Sequence, residues 1–571
     1  MAFEADLLIR GGLVVDGSGA EPRTADVAIR GDRILAVGDD MPPAREKMDA
    51  SGLLVTPGFV DVHTHYDGQA TWSRQMSPSS GHGVTTVVIG NCGVGFAPCR
   101  AEDHRALVNV MEGVEDIPEA VMAEGLPWTW ETFPQYLDAL ASRCWDVDVA
   151  AYIPHSPLRV YAMGQRGLDR EPATDADIAR MAALVSEGMA AGAVGFATSR
   201  TNNHRTGDGA FIPSYEADGL ELEAIAAAVE RSGRGVVQMV PDLGGPEWRR
   251  ELDLLVRLAE TSRRPVTFSL AQSHDDSTIW RTTLDRVADA NARLGTRLAP
   301  QVFPRAMGVV TGLSASVHSF CLCESYLALA GLPLPDRVAA MRDPAVRARL
   351  LSEPPSDARS PLFRLVRDFD RMYPMAQHPD YEPAASSSVA ARAADRGVSP
   401  LALAYDLLLE DDGLALLYLP FSNYADHDLD AVRAMMVDEN SVLGLGDGGA
   451  HYGLICDASY PTTLLAHWTR DRADDRLPLA WAIKALSADT ARLMGFHDRG
   501  RIAPGLKADI NLIDHGALTL SRPRVIQDLP GGGRRLVQDA EGYRLTMVGG
   551  TIVRRDGMAT GAAPGRLVRA R

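Results

Sequence analysis

The sequence predicts an α/β chain: a (β/α)8 TIM barrel with a small β-sandwich domain formed from both chain termini. Three observations predict it. Strand, loop and helix patterns alternate through the middle of the chain. Both ends carry short strands separated by glycine turns. A paired-histidine motif closes the first strand of the alternating region.

The eight candidate strands are residues 58–65, 84–91, 147–154, 193–198, 235–240, 265–271, 298–303 and 441–447. Helical patterns fall between most of them, at 175–191, 220–232, 249–262 and 401–409. A doubly wound sheet is the competing arrangement, but no glycine-rich dinucleotide turn follows the first strand. At the N-terminus, residues 5–10, 13–16 and 25–36 are apolar stretches broken by Gly-Gly, Gly-Ser-Gly and Gly-Asp. Residues 508–513 and 543–553 repeat that pattern at the other end. Neither end alone could bury two faces, so they are expected to share one domain. The expected division is 1–56 and 498–571 for the β-sandwich and 57–497 for the barrel, with an insertion around 304–440. The long stretches after strands two and seven are expected at the barrel mouth, where they can cover a substrate. The Pro-rich segment 352–361 reads as packing or disorder.

The 571 residues are 46% hydrophobic and 23% charged, a globular profile. A net charge of −18 leaves no basic surplus for nucleic acid or an anionic membrane. The expected partner is therefore a small molecule, and the composition leaves a homo-oligomer open. Six cysteines without a CxxC pair do not make a disulfide framework and fit a reducing cytoplasm. The opening MAFEADLLIRGG lacks the progression of a signal peptide, and no apolar run reaches membrane-span length.

The strongest chemical signal is Gly58-Phe59-Val60-Asp61-Val62-His63-Thr64-His65. Side chains alternate along a strand, so His63 and His65 share a face, with Asp61 one step deeper. Two imidazoles so placed suit a divalent cation such as zinc. The second signal is GLGDGGAH, which ends a strand on Asp447 and a glycine-rich turn, with His451 following. In a barrel the ends of the last and first strands are neighbours, so Asp447 can bind the cation and exchange a proton with water. In the third, GVTTVVIGNCGVGFAP, Cys92 ends the second strand next to the histidines. A thiolate is a good zinc ligand, although a lone buried cysteine is commonly core packing.

Together these motifs resemble the N-acyl-D-amino-acid deacylases (D-aminoacylases) of the amidohydrolase superfamily. EGLPWTWETFPQYLDAL, PHSPLRVYAMG, GAVGFATS and SADTARLMGFHDRGRIAPGLKADINLID resemble that family in the same order. The resemblance implies a metal-dependent enzyme cleaving a carbon–nitrogen amide bond other than a peptide bond. It places His63, His65, Cys92 and Asp447 around the metal. Two family histidines, at strands five and six, fall on Gln238 and Leu270 here, and a substrate-binding lysine falls on Gln272. About one divalent metal per chain, zinc, is therefore expected, with His274 and His318 as the substitutes available for a second. Asp447 is the expected catalytic residue, taking a proton from water and returning it to the leaving nitrogen. Substrate contacts are expected from His155, Arg159, Arg200, His204, Gln238, Gln272 and His451. Arg200, Arg205 or Arg305 could replace the lost lysine charge, and a bulkier or uncharged amide is expected over simple N-acetyl-D-amino acids. A hydrolytic deaminase or a cyclic amide or lactam hydrolase would use the same parts; a barrel retained only for binding is the non-catalytic alternative.

Overall fold

The computed structural model describes residues 4–295, 297–356 and 364–570. Segment 352–361 thus lies partly outside the described residues.

Eight parallel strands organise the α/β fold. They are β1 (Phe59–Asp61), β2 (Val84–Ile89), β3 (Asp148–Ala151, resuming at Ile153–Pro154), β4 (Gly195–Ser199), β5 (Val236–Val240), β6 (Val266–Leu270), β7 (Leu298–Val302) and β8 (Val442–Leu443). Each pairs in parallel with the next. Beyond β8 a parallel bridge joins Gly448 to Thr64, so the succession returns to its first strand.

The helices between strands follow from local sequence. Asp175–Ala191 starts on a Thr174–Asp177 capping box and stops at Gly192, which takes a left-handed conformation. Trp248–Ser262 buries Leu252, Leu255, Val256 and Ala259, the three-to-four spacing of a helix with one apolar face. These faces and the strand side chains form the largest apolar core.

The chain ends meet in a nine-stranded sheet. Leu54–Pro57 runs antiparallel to Ile510–Ile513, and Ile9, Val27, Val55, Ile510, Leu512 and Met547 pack together there. Gly11-Gly12 is not the turn expected of it. Ala5–Val14 is one strand, with a shift of register between Ile9 and Gly12 that absorbs the glycines as a bulge. Gly549-Gly550 does turn, between Tyr543–Val548 and Thr551–Arg555.

Between β7 and β8 the chain builds a unit with its own antiparallel strands, Met307–Thr311, Tyr373–Pro374 and Leu417–Ser422. Its core includes Leu313, Phe320, Leu350, Leu403 and Leu417. Among the described residues no helix is long and apolar enough to cross a membrane.

Gly195 opens β4 at φ 152°, and a Cβ there would lie 1.9 Å from the Val236 carbonyl oxygen. Gly195→Ala must push β4 from β5. A loss of about 1–3 kcal/mol or more is expected in urea unfolding, because the obstacle is backbone. An unchanged midpoint would show that the pair yields freely.

Candidate metal centre

His63 and His65 lie past the end of β1, which is shorter than its apolar pattern suggests. Asp61 Oδ1 accepts the His63 amide at 3.2 Å. The backbone of this stretch then engages the segment after β8: the Asp447 amide donates to the His63 carbonyl (3.2 Å), and the His65 amide to the Gly448 carbonyl (2.8 Å). Strand β8 is also shorter than expected. After Leu443 the chain enters left-handed conformations at Leu445 (φ 66°) and Asp447 (φ 46°). Cys92 takes one too, at φ 56°, in a turn where a Cβ on Gly93 would sit 2.7 Å from Thr198 Cα. Such conformations cost energy in non-glycine residues and persist where surrounding packing imposes them.

Four donor atoms converge there. Cys92 Sγ lies 3.3 Å from His63 Nε2 and 3.7 Å from His65 Nε2. Asp447 Oδ1 lies 3.4 and 3.6 Å from the same two nitrogens. Ligands at about 2.0–2.3 Å in a tetrahedron stand roughly 3.3–3.7 Å apart, which the four spacings to the histidine nitrogens match, while Asp447 stays outside the compact set of His63, His65 and Cys92 and borders it on the histidine side. Among the described residues His63, His65 and Cys92 are the one group of three or more such side chains whose donor atoms all lie within 4.8 Å of one another.

The outer nitrogens of both imidazoles have partners. His63 Nδ1 donates to Gln301 Oε1 at 2.6 Å, which turns the Nε2 lone pair toward the centre. His65 Nδ1 is 3.2 Å from Glu115 Oε1, in an approach too oblique for a hydrogen bond. Burial holds both histidines below the ordinary imidazole range, outweighing the Asp447 charge, so they are neutral and able to ligate. Burial works against the Asp447 carboxylate, but its closeness to His65 and His63 outweighs burial and holds its carboxyl below the usual carboxylate range. Burial, then Glu115, Asp447 and Asp67, push the Cys92 thiol well above its usual range, so a cation is what would make it a thiolate.

A cavity of about 570 Å³ opens over this centre, lined by His63, His65, Cys92 and Asp447 and, further out, by His204 and His451. His204 Nδ1 meets Ser199 Oγ at 2.8 Å, and burial drives its pKa down to about 3. The other expected contacts lie elsewhere. His155 is buried between Thr198 and Glu221, and Arg159 pairs with the same Glu221. Arg200 is held by Glu251 at 2.9 Å. Gln238 lies under the centre, accepting the Cys92 amide at 3.1 Å. Gln272 turns to Asp426 and the Ala425 amide. Strand alternation explains the strand-six misassignment: β6 and its extension present Ser269 and Ala271 to the cavity, so Leu270 and Gln272 point away. His274 lines the outer cavity, whereas His318 is buried against Tyr326 in the inserted unit.

Glu115 and Gln301 were not anticipated. Gln301 carried a signal, a polar residue inside the apolar run of strand seven. Glu115 carried none, because it ends a helix in the long stretch after β2. Gln301→Leu removes the acceptor that orients His63. Metal affinity is expected to fall about 10- to 100-fold, measured by chelator competition; unchanged affinity would show that Gln301 does not orient the ligand.

The family model described as the amidohydrolase family matches residues 46–554. A D-aminoacylase of Alcaligenes xylosoxydans xylosoxydans is 41% identical over 194 residues, 34% of this chain and 37% of that protein. The chain thus aligns with little more than a third of that relative's length. An uncharacterized protein of Mycobacterium bovis is 28% identical over 602 residues, covering 97% of this chain and 93% of its own. A solved D-aminoacylase, studied for the functional role of its binuclear metal centre with one-metal activation and second-metal attenuation, is 25% identical. It superposes with a TM-score of 0.66 over 100% of both chains. With the family model spanning most of its length, the chain belongs to the amidohydrolase family.

Proposed function

We propose that this chain is a metal-dependent hydrolase that cleaves the carbon–nitrogen bond of a small-molecule amide. The observation that carries the reading is that Cys92 Sγ and Asp447 Oδ1 each stand 3.3–3.7 Å from both His63 Nε2 and His65 Nε2. Two neutral nitrogens, a sulfur and a carboxylate oxygen favour zinc over magnesium or calcium. The parallel strands returning to their start support a (β/α)8 barrel over residues 57–497. The sheet shared by both ends supports a small β-sandwich of residues 1–56 and 498–571.

A cation held by these residues would supply acidity to a water molecule and polarise the substrate carbonyl. The protein supplies proton traffic and orientation. The Asp447 carboxylate, kept ionised by its histidine neighbours, accepts a proton from the attacking water. It returns that proton to the amide nitrogen as the carbon–nitrogen bond breaks, leaving an acid and an amine. His204 and His451 line the adjoining wall, where neutral imidazoles can hydrogen-bond the substrate. One cation per chain is the proposed stoichiometry, because β5 and β6 present Gln238, Ser269 and Ala271 where a second would need ligands.

Purified chain is expected to hold about one zinc by elemental analysis, and His63→Ala and Asp447→Ala each to lower amide turnover on the order of a thousandfold or more. Circular dichroism should stay native for both, since residues at the strand ends serve the site more than the core. Near-normal turnover in either variant, or two tightly held metals per chain, would overturn the corresponding part of the reading.

A further inference from the structure

The cavity over the metal centre has one-sided electrostatics. Among the described residues lining it there is no arginine or lysine, while Asp242, Asp275 and Asp368 face it from three separate segments. Asp242 follows β5, Asp275 follows β6, and Asp368 belongs to the inserted unit. Of the three, Asp368 has an ion-pair partner, Arg371 at 3.4 Å. Glu115, 1% exposed, lines the same cavity, and its Oε1 has no hydrogen-bond partner.

The arginines that might have supplied a positive charge are committed elsewhere. Arg200 is held by Glu251, and Arg305 is buried against Asp457 at 2.6 Å. Arg205 stacks on Phe211, 3.4 Å from its ring centroid, and donates to the Asn202 carbonyl. None of them lines the cavity. Away from the metal centre, a substrate carboxylate would therefore face like charges with no cationic side chain to pair with, whereas a cation would be attracted by Asp242 and Asp275, which have no ion-pair partner among the described residues. The net charge of −18 acts in the same direction at longer range.

We propose that the cavity takes amides bearing a cationic group, an amine or guanidine, and discriminates against amides bearing a carboxylate. This deepens the amide-hydrolase reading and rests on it for the identity of the reacting bond. It also relocates the ground for expecting poor use of simple N-acetyl-D-amino acids: Gln272 points away from the cavity, and the acids lining the cavity set the preference.

The test is a matched series on one scaffold: N-acetyl-D-norleucine, its primary amide, and N-acetyl-D-lysinamide, with the zinc-loaded full chain. The expected order of kcat/KM is cation, then neutral amide, then carboxylate, with about tenfold or more between the extremes that narrows as salt rises. Replacing Asp242 and Asp275 together by asparagine should bring the extremes to within about threefold. A carboxylate substrate equal to or better than the cationic one would overturn the proposal. If none of the three is hydrolysed, the amide-hydrolase reading fails separately. The charge preference is then read from calorimetric binding of the same compounds, and carboxylate binding as tight as cation binding overturns it.

Discussion

Two backbone hydrogen bonds tie the end of the first parallel strand to the segment after the last one, from Asp447 to the His63 carbonyl and from His65 to the Gly448 carbonyl. The rest of the site depends on that closure. Residues 63 and 447 are separated by almost four hundred positions, yet their side chains stand 3.4 Å apart because the backbones are already joined. A 1 Å slip would carry the donor atoms outside the spacing a cation can bridge. The left-handed conformations at Cys92, Leu445 and Asp447 sit where that constraint is tightest. Strain of this kind persists only when the surrounding fold over-determines it, as the eight paired strands do here.

The sheet made from both chain ends acts on the same closure from outside. Leu54–Pro57 pairs with Ile510–Ile513 and leads directly into Phe59–Asp61, so anchoring one strand sets where the next begins. Behind the parallel strands, Arg499 and Lys507 both pair with Asp148 at the start of β3, and Lys507 reaches Asp509 at 3.1 Å. These buried charges are mutually compensated, which is the condition for keeping them out of water. They bind the segment leading into the C-terminal strands to the strand that neighbours β2.

Burial governs the chemistry at the opposite end. It depresses His63 and His65 and raises Cys92 and Glu115, so the site is poor in charge until a cation arrives. Asp447 is the exception, held ionised by the same histidines it approaches. A carboxylate kept charged in a low-dielectric pocket is costly without a partner, and the proposed cation completes its environment.

Patterns local in the chain were legible in the sequence. The alternation of strands and helices, the amphipathic stripe of Trp248–Ser262 and the paired histidines with Cys92 and Asp447 all rest on periodicity and residue chemistry over short spans. The direction a side chain takes near a strand end is not a local property. A one-residue step reverses the face, so Leu270 and Gln272 were assigned to a cavity that Ser269 and Ala271 line instead. Arg159, Arg200 and His155 looked available because their partners, Glu221 and Glu251, lie dozens of residues away. Glu115 and Gln301 were hidden for the same reason, since a group that orients a metal ligand is recognised by what it touches. Chemistry of short spans was therefore readable from residue order, and the tertiary structure alone decided which charges are already neutralised and which still face the cavity.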